Sequence, residues 1–234
     1  NHLKSLINNG SVTLSIKKSS VQIQGYRIVP GTFYINDVAV RFNDQLGKSE
    51  LIVAAGTSTY RDAGATIFGS DDDYGLFRGS EDQNGEWIWQ RIPVYAENSN
   101  ILVQPIDLEI SPVDNKVWFS TTRWRGQGGG AVYVSNEDVS SFEKKFQVTE
   151  DTNDDGVSDS SDLGGGRRTE IDIASNNTIW VLGQIETENG GLSNPPVGIF
   201  KAPNAFEGTV TRIELPSDID NGISDNDFTR GQSF

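Results

Sequence analysis

The stretch PIDLEISPVDNKVWFSTT (105–122) decides the fold prediction, because RTEIDIASNNTIWVLGQ (168–184) follows the same plan. In both stretches an acidic residue opens an alternating strand, an Asn-containing turn follows, and an apolar strand with a Trp comes next. NDVAVRFNDQLGKSELIVAAGT (36–57) is a looser third copy with a longer turn. The acidic residues Asp37, Asp107 and Glu170 hold equivalent positions, and their recurrence in every copy favours a structural role.

Two further short strands complete each copy. The third strands are GLFRGS (75–80), GAVYVS (130–135) and VGIFKA (197–202), and the fourth are WIWQRI (87–92), KKFQV (144–148) and TVTRI (209–213). Four short strands per repeat are typical of a propeller blade, whereas a β-sandwich requires no such repetition. We therefore predict an all-β protein, a β-propeller of four-stranded antiparallel blades with about three blades present. A chance alignment of strands in another antiparallel fold is the alternative.

The repeats divide the chain into segments. We expect blade 1 at 36–95, blade 2 at 96–150, a calcium-loop insertion at 151–166 and blade 3 at 167–216. SVTLSI (11–16) and VQIQGYRI (21–28) read as a hairpin within 1–35, or as part of a preceding blade, and 217–234 as an acidic linker that starts a further blade. Because closed propellers have at least about four blades, we expect a fragment of a larger propeller that continues into or associates with further blades.

Composition narrows the classes of function. The chain has 33 acidic and 19 basic residues and a formal net charge of -14, which disfavours nucleic acid as a partner. It has no cysteine and one histidine, His2, which disfavours thiolate chemistry, a Ser-His-Asp triad and a histidine-ligated zinc site. No apolar run is long enough for a membrane helix, so we predict no membrane insertion. The acidity fits a secreted or cell-surface protein that collects divalent cations.

One turn carries a recognisable motif. Ser80, Asp82, Asn84 and Trp87 fall at offsets 0, 2, 4 and 7. This spacing resembles the Asp-box (BNR repeat), S-x-D-x-G-x-x-W, of sialidases, sortilin-type receptors and xyloglucan-degrading propeller hydrolases. The resemblance implies that the aspartate accepts backbone N–H bonds within the turn, that the aromatic ring packs under the hairpin, and that the residue at offset 4 adopts a positive φ. Asn84 replaces glycine there and tolerates that conformation.

The other two copies of this motif are weaker. Ser135, Glu137, Val139 and Phe142 keep the spacing with only the serine intact, and the copy that begins at Ala202 has lost the signature. Because Asp-boxes are structural turns, the resemblance bears on the fold and says little about function.

The acidic stretch DTNDDGVSDSSD (151–162) predicts a calcium loop. Gly156 falls where an EF-hand-type loop turns sharply, and oxygen ligands recur at loop positions 1, 3, 5, 7, 9 and 12. The predicted Ca²⁺ ligands are Asp151, Asn153, Asp155, the backbone carbonyl of Val157, Asp159 and Asp162. A solvated acidic linker is the alternative.

This stretch resembles the calcium loops of dockerin modules and of thrombospondin-like repeats. Asp162 stands where an EF-hand has glutamate, and LGGGRR follows in place of a helix. The resemblance implies that calcium pins the insertion between two blades. SDDDYG (70–75) and DIDNGISDND (218–227) lack the spacing and are weaker candidates.

The loop TTRWRGQGGG (121–130) is the candidate ligand-binding surface. Trp124 could stack on a sugar ring while Arg123 and Arg125 hold carboxylate or sulfate groups. The alternative is a buried tryptophan beside a glycine hairpin. YRIVP (26–30) resembles the sialidase F/Y-R-I-P strand only imperfectly, so Arg27 is expected to be an ordinary strand residue.

These patterns predict a calcium-stabilised binding or adhesion module, extracellular or at the cell surface, with a polysaccharide or a protein as partner. The alternative is a glycoside hydrolase of the Asp-box propeller type, in which Asp37, Asp107 or Glu170 could act as acid or base. A passive structural scaffold is the second alternative.

Overall fold

A computed structural model describes residues 34–56, 74–122, 128–148, 168–184 and 197–213, and the backbone of 21–23 and 26–28. Every regular element in these ranges is a strand. No helix in them is long and apolar enough to cross a bilayer. The strands are β1 Val21–Ile23, β2 Tyr26–Ile28, β3 Tyr34–Asn43, β4 Lys48–Gly56, β5 Gly75–Glu81, β6 Trp87–Ile92, β7 Gln104–Ile110, β8 Val117–Thr122, β9 Ala131–Ser135, β10 Phe142–Gln147, β11 Thr169–Ile173, β12 Ile179–Gln184, β13 Val197–Ala202 and β14 Thr211–Ile213.

Twelve of these strands form three four-stranded sheets in which neighbours in sequence are neighbours in space. Sheet 1 contains β3–β6, sheet 2 contains β7–β10 and sheet 3 contains β11–β14. All pairings are antiparallel. The prediction of an all-β chain built from three four-stranded antiparallel, propeller-like blades is confirmed.

Sheet 2 lies between the other two sheets. All six residues of β8 and all five of β9 are buried, and successive side chains of a strand point to opposite faces. Val117 and Phe119 accordingly belong to the core that sheet 2 shares with sheet 1. Trp118 and Val134 belong to the core that it shares with sheet 3. Burial on both faces explains why VWFSTT and AVYVS show no apolar–polar alternation.

Aromatic rings fill the core between sheets 1 and 2. Phe119 is fully buried and stacks on Tyr133 with ring centroids 4.9 Å apart, while Phe142 meets it edge-on at 5.0 Å. Ile52 and Leu76 of sheet 1 are also fully buried in this core. Each such side chain stabilises the packing of the two sheets by about 1.5–3 kcal/mol.

The first strands of consecutive sheets meet along one edge, since β3 contacts β7 and β7 contacts β11. The next strand in each sheet also takes part, through contacts of β4 with β7 and of β8 with β11. The sheets therefore follow one another in chain order around the edge formed by their first strands, as blades do in a propeller.

The N-terminal hairpin differs from the prediction. β1 and β2 pair with each other, with Val21 opposite Ile28 and Ile23 opposite Tyr26. VQIQGYRI thus contains two strands and not the single strand of the prediction, while SVTLSI lies outside the described residues and its pairing stays a prediction. The prediction followed the alternation and gave no weight to Gly25, although a glycine within an alternating run is a turn signal.

Candidate functional site

The equivalent carboxylates on the first strands connect one sheet to the next. Asp37 Oδ2 accepts the backbone N–H of Leu108 at 2.8 Å, and Asp107 Oδ2 accepts that of Ile171 at 2.7 Å. A β-bulge stands directly before each aspartate and re-aims its side chain. The same bond, made twice at the same place in the repeat, ties sheet 1 to sheet 2 and sheet 2 to sheet 3.

Asp107 makes this structural bond and also has a raised pKa. Burial, together with the charges of Glu170, Asp37 and Glu109, raises the pKa of Asp107 to about 7, and the hydrogen bond from the Ile171 N–H opposes this rise. Burial, with Asp172 and Asp37, also raises the pKa of Glu109. A carboxyl group that keeps a proton near neutral pH can act as a general acid.

A second repeated tie comes from the turn between the first two strands. Asn115 has a φ of 58°, and its Nδ2 donates to the carbonyl oxygen of Phe42 in sheet 1 at 2.6 Å. Asn177 has a φ of 63°, and its Oδ1 accepts the hydroxyl of Ser111 in sheet 2 at 3.3 Å. Asparagine suits both demands of this turn, because it tolerates the left-handed conformation and carries an amide.

A buried ion cluster joins sheet 1 to the β9–β10 turn of sheet 2. Glu50 is fully buried and lies 3.0 Å from Arg41 Nε and 2.7 Å from Arg78 Nε. The two arginines also donate to the backbone oxygens of Glu137, at 3.1 Å, and Asp138, at 2.7 Å. The cluster holds the sheets in register, and its fully buried carboxylate is closed to solvent.

The turn at Ser80–Trp87 is held by Asp82, as the motif implies. Asp82 Oδ1 accepts the N–H of Asn84 at 2.7 Å and that of Glu86 at 2.9 Å, and these bonds lower the pKa of Asp82. The expectation for Asn84 is wrong, because the left-handed residue is Gly85, with a φ of 81°. Trp87 stacks on Trp89 with ring centroids 5.9 Å apart. The assignment of this turn to the Asp-box family stays a prediction.

The corresponding turn in sheet 2 is shifted by one residue from the predicted alignment. Asn136, and not Glu137, caps it, by accepting the N–H of Ser140 at 2.9 Å. Val139 occupies the left-handed position, with a φ of 56° and a fully buried side chain. Ser135 Oγ accepts the N–H of Val117 at 2.9 Å. The motif spacing misled the alignment because the sheet 2 turn begins one residue earlier.

A cavity bounded by described residues lies between sheets 2 and 3. This inter-sheet cleft has a volume of about 470 Å³, within the range of small-molecule sites. Its lining includes Trp118, which is 2% exposed, and half-buried Phe206, and the two rings stack with centroids 5.8 Å apart. Asn176, Asn177 and Asn204 add amide groups. Aromatic surface with converging amides can bind a ligand that has both apolar faces and hydroxyl groups.

The charges of the cleft balance one another. Its lining includes two acidic residues, Asp114 and Glu207, and two basic residues, Lys116 and Lys145. Burial tends to raise the pKa of Asp114, but hydrogen bonds from Ser111 and Lys116 and the charge of Lys116 lower it overall. The Lys116 ammonium lies 3.4 Å from the Asp114 carboxylate. The cleft therefore has little net charge.

Most of the sequence-predicted ligands fall outside the described residues. This holds for the calcium loop, with Asp151, Asn153, Asp155, Val157, Asp159 and Asp162, and for Arg123, Trp124 and Arg125. Arg27 lies in β2, where only the backbone is described. Within the described ranges no group of three or more acidic or imidazole side chains could hold a metal ion. Calcium binding at 151–162 stays a prediction.

The residues of the cleft were not predicted. Trp118 stands in a strand whose sequence indicated only burial, and Phe206 stands in the turn after β13, where no motif marks it. Three residues of that turn, Asn204, Ala205 and Phe206, have φ values of 48°, 53° and 69°. No sequence signal announces three consecutive left-handed residues without glycine.

The chain shows only a distant structural similarity to a known protein. No family model matches the chain, and no curated protein matches it. Among solved structures the chain is similar to Zg3597, a family 117 glycoside hydrolase produced by the marine bacterium Zobellia galactanivorans, with a TM-score of 0.45 and 10% sequence identity. The match covers 85% of this chain and 60% of that chain. Similarity at this level supports no conclusion about activity, and the fold rests on the strands and contacts described above.

Proposed function

We propose that the chain is a calcium-stabilised, secreted or cell-surface propeller module that binds polysaccharide. The observation that carries this proposal is the inter-sheet cleft, with stacked Trp118 and Phe206 and three asparagines in its lining. Sugar rings present apolar C–H faces that pack on aromatic rings, and hydroxyl groups that pair with amides. Two hydrogen bonds, from the Ile171 N–H to Asp107 and from the Ser111 hydroxyl to Asn177, join the sheets that form the two walls of the cleft.

Polysaccharide fits this cleft better than a protein partner does. The cleft is concave and about 470 Å³ in volume, whereas a stable protein interface covers about 800 Å² on each partner. A protein partner is the alternative outcome of a binding screen.

Two asparagines with the same backbone conformation allow a matched test of polysaccharide binding. Asn204 lines the cleft with a φ of 48°, and Asn98 is exposed outside it with a φ of 55°. Substitution by glycine removes the amide and keeps the left-handed backbone accessible. Affinity electrophoresis of the full chain on a polysaccharide panel should show binding that Asn204→Gly weakens severalfold and Asn98→Gly leaves unchanged. Failure of the wild-type chain to bind any polysaccharide would overturn the proposal.

The calcium part of the proposal rests on the spacing of 151–162, where uncompensated carboxylates repel one another without a cation. Isothermal titration of the chelator-treated chain should detect a site that Asp151→Ala and Asp155→Ala each abolish. Asp71→Ala, in an acidic stretch without the loop spacing, is the control and should leave the site intact. Absence of both binding heat and a thermal shift with calcium would contradict this part.

The raised pKa of Asp107, about 7, favours a glycoside hydrolase as the second candidate function. An enzyme would release reducing ends from a polysaccharide that it binds, and Asp107→Asn would abolish the release with the fold intact. Binding without turnover supports the binding module. If neither binding nor turnover occurs with any polysaccharide or protein, the chain is a passive scaffold.

A further inference from the structure

Trp118 has an unusual hydrogen-bonding state for a buried residue. It is 2% exposed, and its Nε1–H has no hydrogen-bond partner among the described residues. Buried indole N–H groups normally find an acceptor, because leaving one unpaired destabilises the folded state. Trp118 also lines the inter-sheet cleft. An acceptor atom that entered the cleft could supply the missing partner.

The cover over Trp118 is a strained segment. Phe206 stacks on the indole ring, and it ends the run of left-handed residues that begins at Asn204. Each non-glycine residue in that conformation carries conformational strain, and such strain is often found at ligand sites. A shift of the 204–206 segment, with a change of its backbone conformation, would open the cleft further toward Trp118.

The electrostatics of the cleft select the ligand. Lys116 lies 3.4 Å from Asp114, and Lys145, also in the lining, lies 2.8 Å from Glu143. Both ammonium groups therefore already have a carboxylate partner, and the whole chain carries a net charge of -14. An anionic polysaccharide would have to displace these carboxylates and approach against the field of the protein.

We infer that the ligand of the cleft is a neutral polysaccharide, and that one of its hydroxyl or ether oxygens accepts a hydrogen bond from Trp118 Nε1–H once the 204–206 segment shifts. This inference rests on the proposed function and goes beyond it, since it fixes both the ligand class and the contact atom. The bond gives the ligand a partner that water does not reach in the free protein.

Trp118→Phe tests the contact atom, because it keeps an aromatic ring and removes only the N–H donor and part of the indole. Removal of the unpaired donor should stabilise the variant, and the small cavity left behind should destabilise it. The two effects offset each other, so the melting temperature should stay within about 3 °C of the wild type. Affinity for the neutral polysaccharide should fall about tenfold. Trp180→Phe, at a 38% exposed tryptophan on the other face of sheet 3, is the control and should leave affinity unchanged.

The ligand class is tested on the wild-type chain, which keeps the inference falsifiable if Trp118→Phe fails to fold. Matched neutral, uronate-containing and sulfated polysaccharides are titrated at low and high sodium chloride. Binding of the neutral polymer, with an affinity that does not depend on salt, is the expected result. Tighter binding of an anionic polymer, weakened by salt, would overturn the inference and leave the proposed function standing. Wild-type affinity in Trp118→Phe would overturn the contact atom alone, and binding of no polymer at all would overturn the proposed function.

Discussion

The raised pKa of Asp107 predicts a pH dependence of stability that is opposite in sign to that of most salt-bridged carboxylates. Its pKa is about 7 in the folded chain, compared with 3.8 for an aspartate in the unfolded chain. A folded-state pKa above the unfolded value contributes stability that is full below about pH 4 and is lost as the pH rises through 7. Each tenfold shift of the proton equilibrium corresponds to about 1.4 kcal/mol, so ionised Asp107 disfavours the fold by about 4 kcal/mol.

Asp107→Asn removes this penalty and keeps an oxygen that can accept the N–H of Ile171. The free energy of unfolding of the variant, relative to the wild type, should therefore rise with pH. The difference should be near zero at about pH 4 and approach about 4 kcal/mol at about pH 8. Asp107→Ala removes the acceptor as well and should lose about 1–3 kcal/mol relative to Asp107→Asn at every pH.

Urea unfolding followed by tryptophan fluorescence, repeated across this pH range, measures both differences. Comparison with the wild type at each pH cancels the titration of groups that the substitution does not affect. A difference between Asp107→Asn and the wild type that stays constant with pH, or that falls as the pH rises, would refute the assignment of the raised pKa to burial of this carboxyl group.

Three further predictions concern the contacts that hold the sheets and turns. Glu50→Gln should lower the free energy of unfolding by about 3–5 kcal/mol, because it leaves buried Arg41 without its counter-ion; a loss below about 1 kcal/mol in urea unfolding would contradict this. Asp82→Asn should lower the melting temperature at neutral pH and have no effect in strong acid, because the lowered pKa of Asp82 contributes stability only above its folded-state value; an equal effect at both pH values would count against it. Asn115→Gly keeps the left-handed backbone and removes the hydrogen bond to Phe42, so thermal unfolding should show a free energy of unfolding that is lower by about 1 kcal/mol. An unchanged stability would show that this hydrogen bond does not stabilise the fold.

Much of the fold could be predicted because each sheet repeats the same local chemistry. The acidic residue that opens each first strand and the asparagine in the turn after it in sheets 2 and 3 are short-range features, and both make the inter-sheet bonds seen at Asp107 and Asn115. β8 was harder to predict, because burial on both faces removes the alternation of apolar and polar residues. Its place in the repeat nevertheless identified it as a strand.

The errors arose where turn geometry depends on a single residue. The motif placed the left-handed residue at Asn84, and the chain places it at Gly85, because glycine adopts that conformation without a steric penalty. In sheet 2 the cap is Asn136 because its amide oxygen accepts the turn N–H at the required position, which the side chain of Glu137 does not do.

The candidate site could not be predicted from the sequence because its parts are distant along the chain. Trp118 and Phe206 meet only through the packing of sheet 2 against sheet 3. Glu50, Arg41 and Arg78 likewise come from three different strands, and nothing in the sequence of one strand indicates its partner in another.

The indole N–H resonances of the five tryptophans offer the most direct test of the cleft as the binding site. In a ¹⁵N-labelled chain titrated with a neutral oligosaccharide, the signal of Trp118 should shift strongly, while those of Trp87, Trp89, Trp124 and Trp180 stay in place. A shift of Trp124 with Trp118 unmoved would contradict the account, because it would locate the ligand on the 121–130 loop and not between the sheets.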